Sequence, residues 1–374
     1  MGGRALKAAP PLALVVAALG RARPRVLALA IAALPGRGAR FLALAVAALP
    51  AFGPVCSAPR STPDLLVVLD KADAEVTLVD LATLRIVKRL PTGVGPHEVA
   101  ATGDGRWAFV ANYGTGSVPG HTLTVLDLGS RTVARTIELG AYLKPHGIAV
   151  SRDSERLWVT SEATAAVLEL RAATGAVTRV WPTGQQQSHM LAVSRDERSL
   201  YVANIVSGSS TRIDLATGDV RSIGTGAGAE GIDVTPDGSQ VWVANREANT
   251  ISVVDARANV VRATLGSGAQ PIRVRFTPDG AQAWVTNSGA STVDVFQVTT
   301  RRRLATLLVG GTPIGIAISP DGRRAYVANT AGDRVTVIDA RMRRVLGSFA
   351  TGREPDGLAW ARGSPLRPVP RIAP

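Results

Sequence analysis

Short runs of alternating apolar and polar residues fill the chain from residue 64 onward. In one stretch, four such runs occupy 231–238, 241–245, 250–256 and 260–266, with turn residues between them. An alternation with period two over runs this short is typical of half-buried β-strands. The pattern therefore predicts an all-β protein that repeats a unit of four strands.

A four-residue phrase marks the second strand of each unit, at intervals of 41 to 49 residues. The phrases are VVLD 67–70, FVAN 109–112, WVTS 158–161, YVAN 201–204, WVAN 242–245, WVTN 284–287 and YVAN 326–329. Repeats of this length, made of short strands, are typical of β-propeller blades. The repeats predict a seven-bladed β-propeller with four-stranded blades, placed at residues 59–361.

The two ends of the repeat region complement each other. The first repeat begins at Leu65 with the second strand of a blade, and residues 354–361 (EPDGLAWA) supply an extra first strand at the end. One blade shared between these segments closes the ring and removes an exposed sheet edge.

Two recurring features have structural explanations. The Trp residues of the phrase, Trp158, Trp242 and Trp284, occupy a position that we expect to pack between blades. The phrase also ends on a recurring asparagine, which we expect to hold the next loop through backbone hydrogen bonds. These asparagines are Asn112, Asn204, Asn245, Asn287 and Asn329.

The YVAN-like phrases, each followed by a strand such as TISVVD, resemble the YVTN-type propeller repeat family. The resemblance covers roughly residues 64–361 and implies an exported or surface-located bacterial or archaeal protein. It identifies the fold well and implies no particular activity.

The segment before the repeats is basic and apolar. Residues 1–60 carry eight Lys and Arg residues and no acidic residue, within a whole-chain total of 42 basic and 29 acidic residues. Arg37 and Arg40 precede the apolar run 41–53, which has the length of a signal-peptide core. We interpret residues 1–58 as an export signal or leader region, which predicts a periplasmic or secreted protein. A lipoprotein anchored through Cys56 is the less favoured alternative, because Pro54 and Val55 are not the small residues that such a site uses.

Composition excludes several other classes. The single cysteine excludes a disulfide framework and Cys-based metal clusters. No run of eighteen apolar residues is present, so we do not expect an integral membrane protein. We do not expect nucleic-acid binding either, because the one dense basic run, Arg301–Arg303, is typical of a solvated hairpin rather than of a phosphate clamp. The Pro- and Arg-rich residues 362–374 are expected to be a disordered tail.

One register position carries most of the chemistry. Of the four histidines in the chain, three occupy the start of the innermost strand in consecutive blades. Around the ring this position reads Asp356, His97, His146, His189, Glu230, Ile272 and Ile314. Because innermost strands line the central channel, we expect the five polar residues to form an arc at its mouth. The longer loop 113–122 opens on the same face and carries the fourth histidine, His121.

The arc predicts a ligand site formed by His97, His146, His189, Glu230, Asp356 and His121. Three imidazoles with a carboxylate, namely His97, His146, His189 and Glu230, also suit Zn, Mn, Fe or Cu. The arc resembles the channel mouth of propeller lyases that hold a metal through three histidines. Glu98 and Glu162 are nearby carboxylates that we expect to face solvent.

Three functions are consistent with the sequence. The first is an exported binding or interaction module that takes a small anionic ligand or another exported protein. The second is a metal-dependent lyase or hydrolase that uses the three-histidine site. The third is a periplasmic redox-associated propeller, although the CxxCH phrase of haem attachment is absent. Whether the protein is an enzyme is left open by the sequence.

Overall fold

Hairpins between strands that follow one another in sequence build six of the seven blades. The computed structural model describes residues 63–363, which form seven four-stranded antiparallel sheets arranged in a ring. The first strand of each blade contacts the first strands of the blades on either side, so these strands surround the central channel. The predicted seven-bladed β-propeller is confirmed.

The strands keep the predicted period. The first three blades contain β1 (Leu65–Asp70), β2 (Glu75–Asp80), β3 (Arg85–Pro91), β4 (Pro96–Ala101), β5 (Trp107–Gly114), β6 (Pro119–Asp127), β7 (Thr132–Glu138), β8 (Pro145–Val150), β9 (Arg156–Ser161), β10 (Ala166–Arg171) and β11 (Val177–Pro182). The next two contain β12 (Ser188–Val193), β13 (Ser199–Asn204), β14 (Ser209–Asp214), β15 (Val220–Gly224), β16 (Ala229–Val234), β17 (Gln240–Asn245), β18 (Thr250–Asp255) and β19 (Val260–Gly266). The last two and the closing strand are β20 (Pro271–Phe276), β21 (Gln282–Asn287), β22 (Thr292–Gln297), β23 (Arg303–Leu308), β24 (Pro313–Ile318), β25 (Arg324–Asn329), β26 (Arg334–Asp339), β27 (Arg344–Ala350) and β28 (Pro355–Ala361). Short 3-10 turns at Lys71–Asp73 and Thr330–Gly332 follow β1 and β25.

The ring closes through a blade built from both ends of the repeat region. Strand β28 pairs antiparallel with β1, so that Leu65 lies opposite Ala361 and Val67 lies opposite Ala359. This blade has the strand order β28-β1-β2-β3. The predicted closure is therefore confirmed.

Two element boundaries differ from those in the sequence analysis. The first strand of the fifth blade begins at Ala229 rather than at residue 231, so Glu230 belongs to the strand. The insertion 113–122 lengthens a hairpin instead of forming an open loop, because Gly114 of β5 pairs with Pro119 of β6. At the start of β16 and at the end of the β5–β6 hairpin, the alternation of apolar and polar residues was too short to show that strand pairing continues.

Apolar side chains pack between neighbouring blades. Trp158, Trp242 and Trp284 are completely buried, which confirms their predicted core position. The ring centroid of Trp242 lies 5.7 Å from that of Phe276 and 6.0 Å from that of Phe296, both in the next blade. Edge-on aromatic pairs of this kind stabilise the interface beyond the apolar area that they bury.

The recurring asparagines have a structural role, and although Asn112 Oδ1 accepts the expected backbone bond, from Gly93 N–H, most of their partners are side chains. Asn245 Nδ2 donates to the hydroxyl groups of Thr250, 3.1 Å away, and Ser252, 3.0 Å away, on the following strand. Asn204 likewise donates to Ser209 and Thr211. The bonds to the next strand are therefore mainly to side-chain hydroxyls rather than to the backbone.

Several sequence interpretations lie outside the described residues. These are the leader 1–58, the Cys56 lipid-anchor alternative and all of the predicted tail beyond Gly363. The backbone N–H of Gly363 itself donates to Asp64 Oδ1, 2.7 Å away. Among residues 63–363, no helix has the length and apolar character needed to cross a membrane.

Candidate functional site

A β-bulge places each arc residue at the channel mouth. In all seven first strands the register shifts by one residue next to the arc position. In β20, for example, Pro271 lies opposite Asn287 while Arg273 lies opposite Thr286, so Ile272 is the extra residue. A bulge bends the strand and redirects the side chain of the extra residue.

A second ring of side chains surrounds the arc. Its members are the residues directly after each phrase: Lys71, Tyr113, Glu162, Ile205, Arg246, Ser288 and Thr330. In every blade, the backbone N–H of this residue donates to the carbonyl of the residue two positions before the arc residue. The accepting residues all have a left-handed φ between 54° and 71°, which turns the chain into the first strand. The repeat itself therefore holds the second ring next to the arc.

The rings of the three arc histidines lie side by side: those of His97 and His146 meet edge to face, and those of His146 and His189 stack. The ring centroids of His97 and His146 are 5.2 Å apart, and those of His146 and His189 are 3.6 Å apart. His189 Nε2 lies 3.8 Å from Glu230 Oε1 on the next blade. Asp356, on the other side of His97, lies 3.4 Å from Lys71 Nζ. The structure thus places five of the six predicted ligand residues around one mouth.

His121 is the exception among the predicted ligand residues. It lies on β6 with its side chain 50% exposed, and its Nε2 atom is 3.4 Å from Glu138 Oε2. Lengthening of the hairpin places His121 beside β7 rather than beside the arc histidines.

Glu162 does not face solvent, so that expectation was wrong. The residue is 6% exposed, and its Oε2 atom lies 2.9 Å from His189 Nδ1. Its Oε1 atom accepts hydrogen bonds from Tyr113 Oη and Gln187 Nε2, each 2.8 Å away. Burial raises the pKa of Glu162, but the bonds from His189, Gln187 and Tyr113 outweigh it and hold the pKa below its ordinary value.

Glu98 is also buried, at 6% exposed, contrary to expectation. Its Oε1 atom accepts from Arg273 Nε, 3.1 Å away, and from Arg273 Nη2. Glu98 lies on β4 and Arg273 on β20, which are separated around the ring by at least two other first strands. The ion pair therefore crosses the channel next to the arc. Burial lowers the pKa of Arg273, but the charges of Glu98, Asp356 and Glu230 outweigh this effect and hold the pKa above its ordinary value.

Burial keeps two of the imidazoles uncharged near neutral pH. It lowers the pKa of His97, an effect that Asp356 partly offsets. It lowers the pKa of His146 strongly, and the neighbouring His189 lowers it further. His97 Nδ1 lies 2.8 Å from the carbonyl oxygen of Gly95, which can only accept, so the neutral ring carries its proton on Nδ1.

Four buried polar atoms of the arc have no hydrogen-bond partner within residues 63–363. They are His146 Nδ1, His189 Nε2, Asp356 Oδ1 and Glu230 Oε2, the last of which lies 2.7 Å from Arg246 Nη1. Beside the arc, a surface depression of about 400 Å³ is lined by His97, Tyr113 and Lys71, among others. Buried polar atoms without partners are costly, so their concentration here indicates a site that receives a ligand or water.

The histidine geometry differs from that of a metal centre. Imidazoles bind a metal through in-plane lone pairs, whereas the rings of His146 and His189 stack with only 33° between their planes. Across residues 63–363, no group of three or more His, Cys, Asp or Glu side chains is arranged to hold a metal ion.

Comparison with known proteins identifies the fold but no family. No protein-family model matches the chain. Dihydro-heme d1 dehydrogenase from Pseudomonas aeruginosa is 35% identical over 80 residues, which is 21% of this chain and 15% of that protein. The similarity therefore spans a small part of the curated relative.

Two solved structures resemble the whole ring. One is hydrazine synthase from Kuenenia stuttgartiensis, with a TM-score of 0.66 and 20% identity, covering 78% of this chain and 99% of that one. The other is a functionally unknown protein from Desulfotomaculum acetoxidans, with a TM-score of 0.68 and 16% identity, covering 80% and 99%. The chain is a seven-bladed β-propeller. At these identities the likeness concerns the fold alone.

Proposed function

We propose that this chain is an exported propeller of the YVTN type that binds a small polar ligand at the histidine-bearing mouth of its channel. The observation that carries the proposal is the group of unpartnered buried atoms on His146, His189 and Asp356. Free polar atoms at one mouth give a ligand several hydrogen bonds without breaking any within the protein.

The rim favours a ligand with an anionic group. Lys144 Nζ lies 5.2 Å from the ring centroid of Tyr113, at the edge of the arc. Within residues 63–363, no carboxylate lies within 4 Å of this ammonium group. By contrast, Lys71 and Arg246 are already paired with Asp356 and Glu230. Lys144 therefore supplies the cation that a small carboxylate would meet on entry.

Thermal unfolding with a defined probe panel tests this proposal. The probes are lactate, malate, tartrate and gluconate, and ligand binding to the folded state raises the melting temperature. We expect at least one probe to stabilise the wild type and His121→Ala, and to bind about tenfold or more weakly to Lys144→Ala and His189→Ala. No stabilisation by any probe, or equal stabilisation of all four proteins, would contradict an anion site at the arc.

A redox-associated propeller is a second candidate. The 80-residue similarity to a protein named dihydro-heme d1 dehydrogenase favours it. Haemin, added to the same panel as a fifth probe, separates this candidate from the first. A Soret shift that is abolished in His97→Ala and retained in His121→Ala would favour the redox-associated function over the carboxylate site.

The metal-dependent lyase or hydrolase requires the stacked rings to turn so that His97, His146, His189 and Glu230 converge. Elemental analysis of protein purified without a His tag or chelators measures the bound metal directly. About one equivalent of Zn, Mn, Fe or Cu, lost in His146→Ala, is the result that the metal hypothesis predicts. Protein that stays metal-free after incubation with these ions would contradict it.

A further inference from the structure

We infer that Glu162 and His189 act together as a general base that removes a proton from a hydroxyl group of the ligand. The inference rests on the proposed function, because it concerns the same site. It narrows the ligand class to small hydroxylated anions: the anionic group meets Lys144 at the rim, and the hydroxyl group reaches the buried His189.

The carboxylate fixes the proton on one imidazole nitrogen. Glu162 Oε2 lies 2.9 Å from His189 Nδ1, and both side chains are buried. The bonds from Tyr113 and Gln187 orient the same carboxylate, and its lowered pKa keeps it ionised. An ionised carboxylate can only accept a hydrogen bond, so Nδ1 carries the proton and Nε2 presents its lone pair.

The free nitrogen faces the arc. His189 Nε2 is buried, has no hydrogen-bond partner within residues 63–363, and lies 3.8 Å from Glu230 Oε1. In the step that we infer, the O–H bond of the ligand breaks, the proton binds Nε2, and the electron pair remains on the ligand oxygen. The resulting imidazolium lies between two carboxylates, Glu162 and Glu230, which stabilise its charge.

The neighbouring histidine supports the same role. The ring of His146 stacks on that of His189 at 3.6 Å, and burial keeps the pKa of His146 well below its ordinary value. His146 therefore remains neutral and places no second positive charge beside the imidazolium. Arg273, whose Nη1 atom lies 4.0 Å from Glu230 Oε1, is already paired with Glu98.

The first test measures the tautomer in the wild-type protein. With only four histidines in the chain, a long-range proton–nitrogen NMR spectrum of protein labelled with nitrogen-15 histidine resolves each ring. Variants that each replace one histidine by alanine assign the signals, and His121→Ala identifies the signal of the ring outside the arc. We expect His189 to be protonated on Nδ1, with a downfield proton from the bond to Glu162. A neutral His189 ring protonated on Nε2 would overturn the inference.

The second test measures reactivity with 4-nitrophenyl acetate, whose hydrolysis responds to an imidazole base. We expect the protein-dependent rate to fall at least tenfold in His189→Ala and about threefold to tenfold in Glu162→Gln, with His121→Ala unchanged. Equal rates in the wild type and His189→Ala would overturn the inference. If the carboxylate panel still stabilises the wild type in that case, the binding function survives without the base.

Discussion

Replacing Glu98 by alanine is expected to lower the free energy of unfolding by about 3–5 kcal/mol. The variant leaves the guanidinium of Arg273 buried without its main partner, since Arg273 Nε and Nη2 both donate to Glu98 Oε1. The two other carboxylates near that cation are already paired: Glu230, 4.0 Å away, with Arg246, and Asp356 with Lys71. Urea unfolding followed by tryptophan fluorescence at pH 7.5 measures the difference.

The double variant Glu98→Met/Arg273→Met separates the value of the ion pair from the cost of breaking it. Removing both charges also removes both desolvation penalties, so we expect the double variant to lie within about 2 kcal/mol of the wild type. The exposed Glu247→Ala serves as a control and should differ little from the wild type. A Glu98→Ala protein as stable as the wild type, or a double variant as unstable as the single one, would contradict a tightly coupled pair across the channel.

The fold was predictable because the sequence repeats the blade motif seven times. A repeated phrase with alternating strands fixes the blade, and the complementary segments at Leu65 and at 354–361 fix the closure. Local sequence patterns are enough for these inferences, because six of the seven blades are runs of hairpins between strands that follow one another. The paired extension of 113–122 was missed because no alternation distinguishes a longer hairpin from a loop.

The arc was predictable from register, whereas its partners were not. His97, His146 and His189 share one repeat position, so aligning the repeats brings them together. Glu98 and Arg273 are 175 positions apart in the sequence. Nothing in the sequence shows that their blades face each other across the channel. One signal was nevertheless present at the position that follows the arc residue. It is glycine in four blades, and Glu98 and Arg273 are two of the three departures.

Those glycines have a steric reason. A Cβ atom on Gly231 would lie 2.3 Å from the carbonyl oxygen of Ile272, and one on Gly357 would lie 2.4 Å from that of His97. First strands approach one another this closely beside the glycines, whereas beside Glu98, Met190 and Arg273 they leave room for a side chain.

The second ring also left a signal that the sequence analysis did not use. The residue after each phrase is Lys71, Tyr113, Glu162 or Arg246 in four blades, and each of these contacts an arc residue. Aligning that column, as the arc column was aligned, brings Glu162 to the channel mouth. Its burial depends on the three-dimensional contact with His189 in the next blade, which no local pattern records.

Replacing Asp70 by asparagine is expected to stabilise the protein. Asp70 ends the first phrase, where five other repeats have asparagine, and it is completely buried. Burial raises its pKa from 3.8 to about 6, although the Thr77 hydroxyl, Gly352 N–H and Arg89 lower it in part. Asparagine supplies the uncharged amide that donates to the hydroxyl seven residues later, as Asn245 does to Ser252.

The pH dependence has a definite sign. Because the folded-state pKa of Asp70 lies above the unfolded value, protonation stabilises the fold below about pH 4, and this contribution is lost as the pH rises to about 6. The change corresponds to about 3 kcal/mol at most. Asparagine also gives up the contact with Arg89, 3.6 Å away and partly exposed. We therefore expect Asp70→Asn to gain about 1–2 kcal/mol at pH 8.

The reciprocal variant is the matched control. Asn245→Asp introduces a carboxylate at the equivalent position of another blade, so it should destabilise the protein at pH 8 and recover stability near pH 4. Urea unfolding of the wild type and both variants between pH 4 and 8 separates these effects from all other titrations, because only the differences between proteins are compared. A gain for Asp70→Asn that stays constant across this range would mean that Asp70 does not titrate within it. A loss of stability at pH 8 would mean that the carboxylate makes a contact that the amide cannot replace.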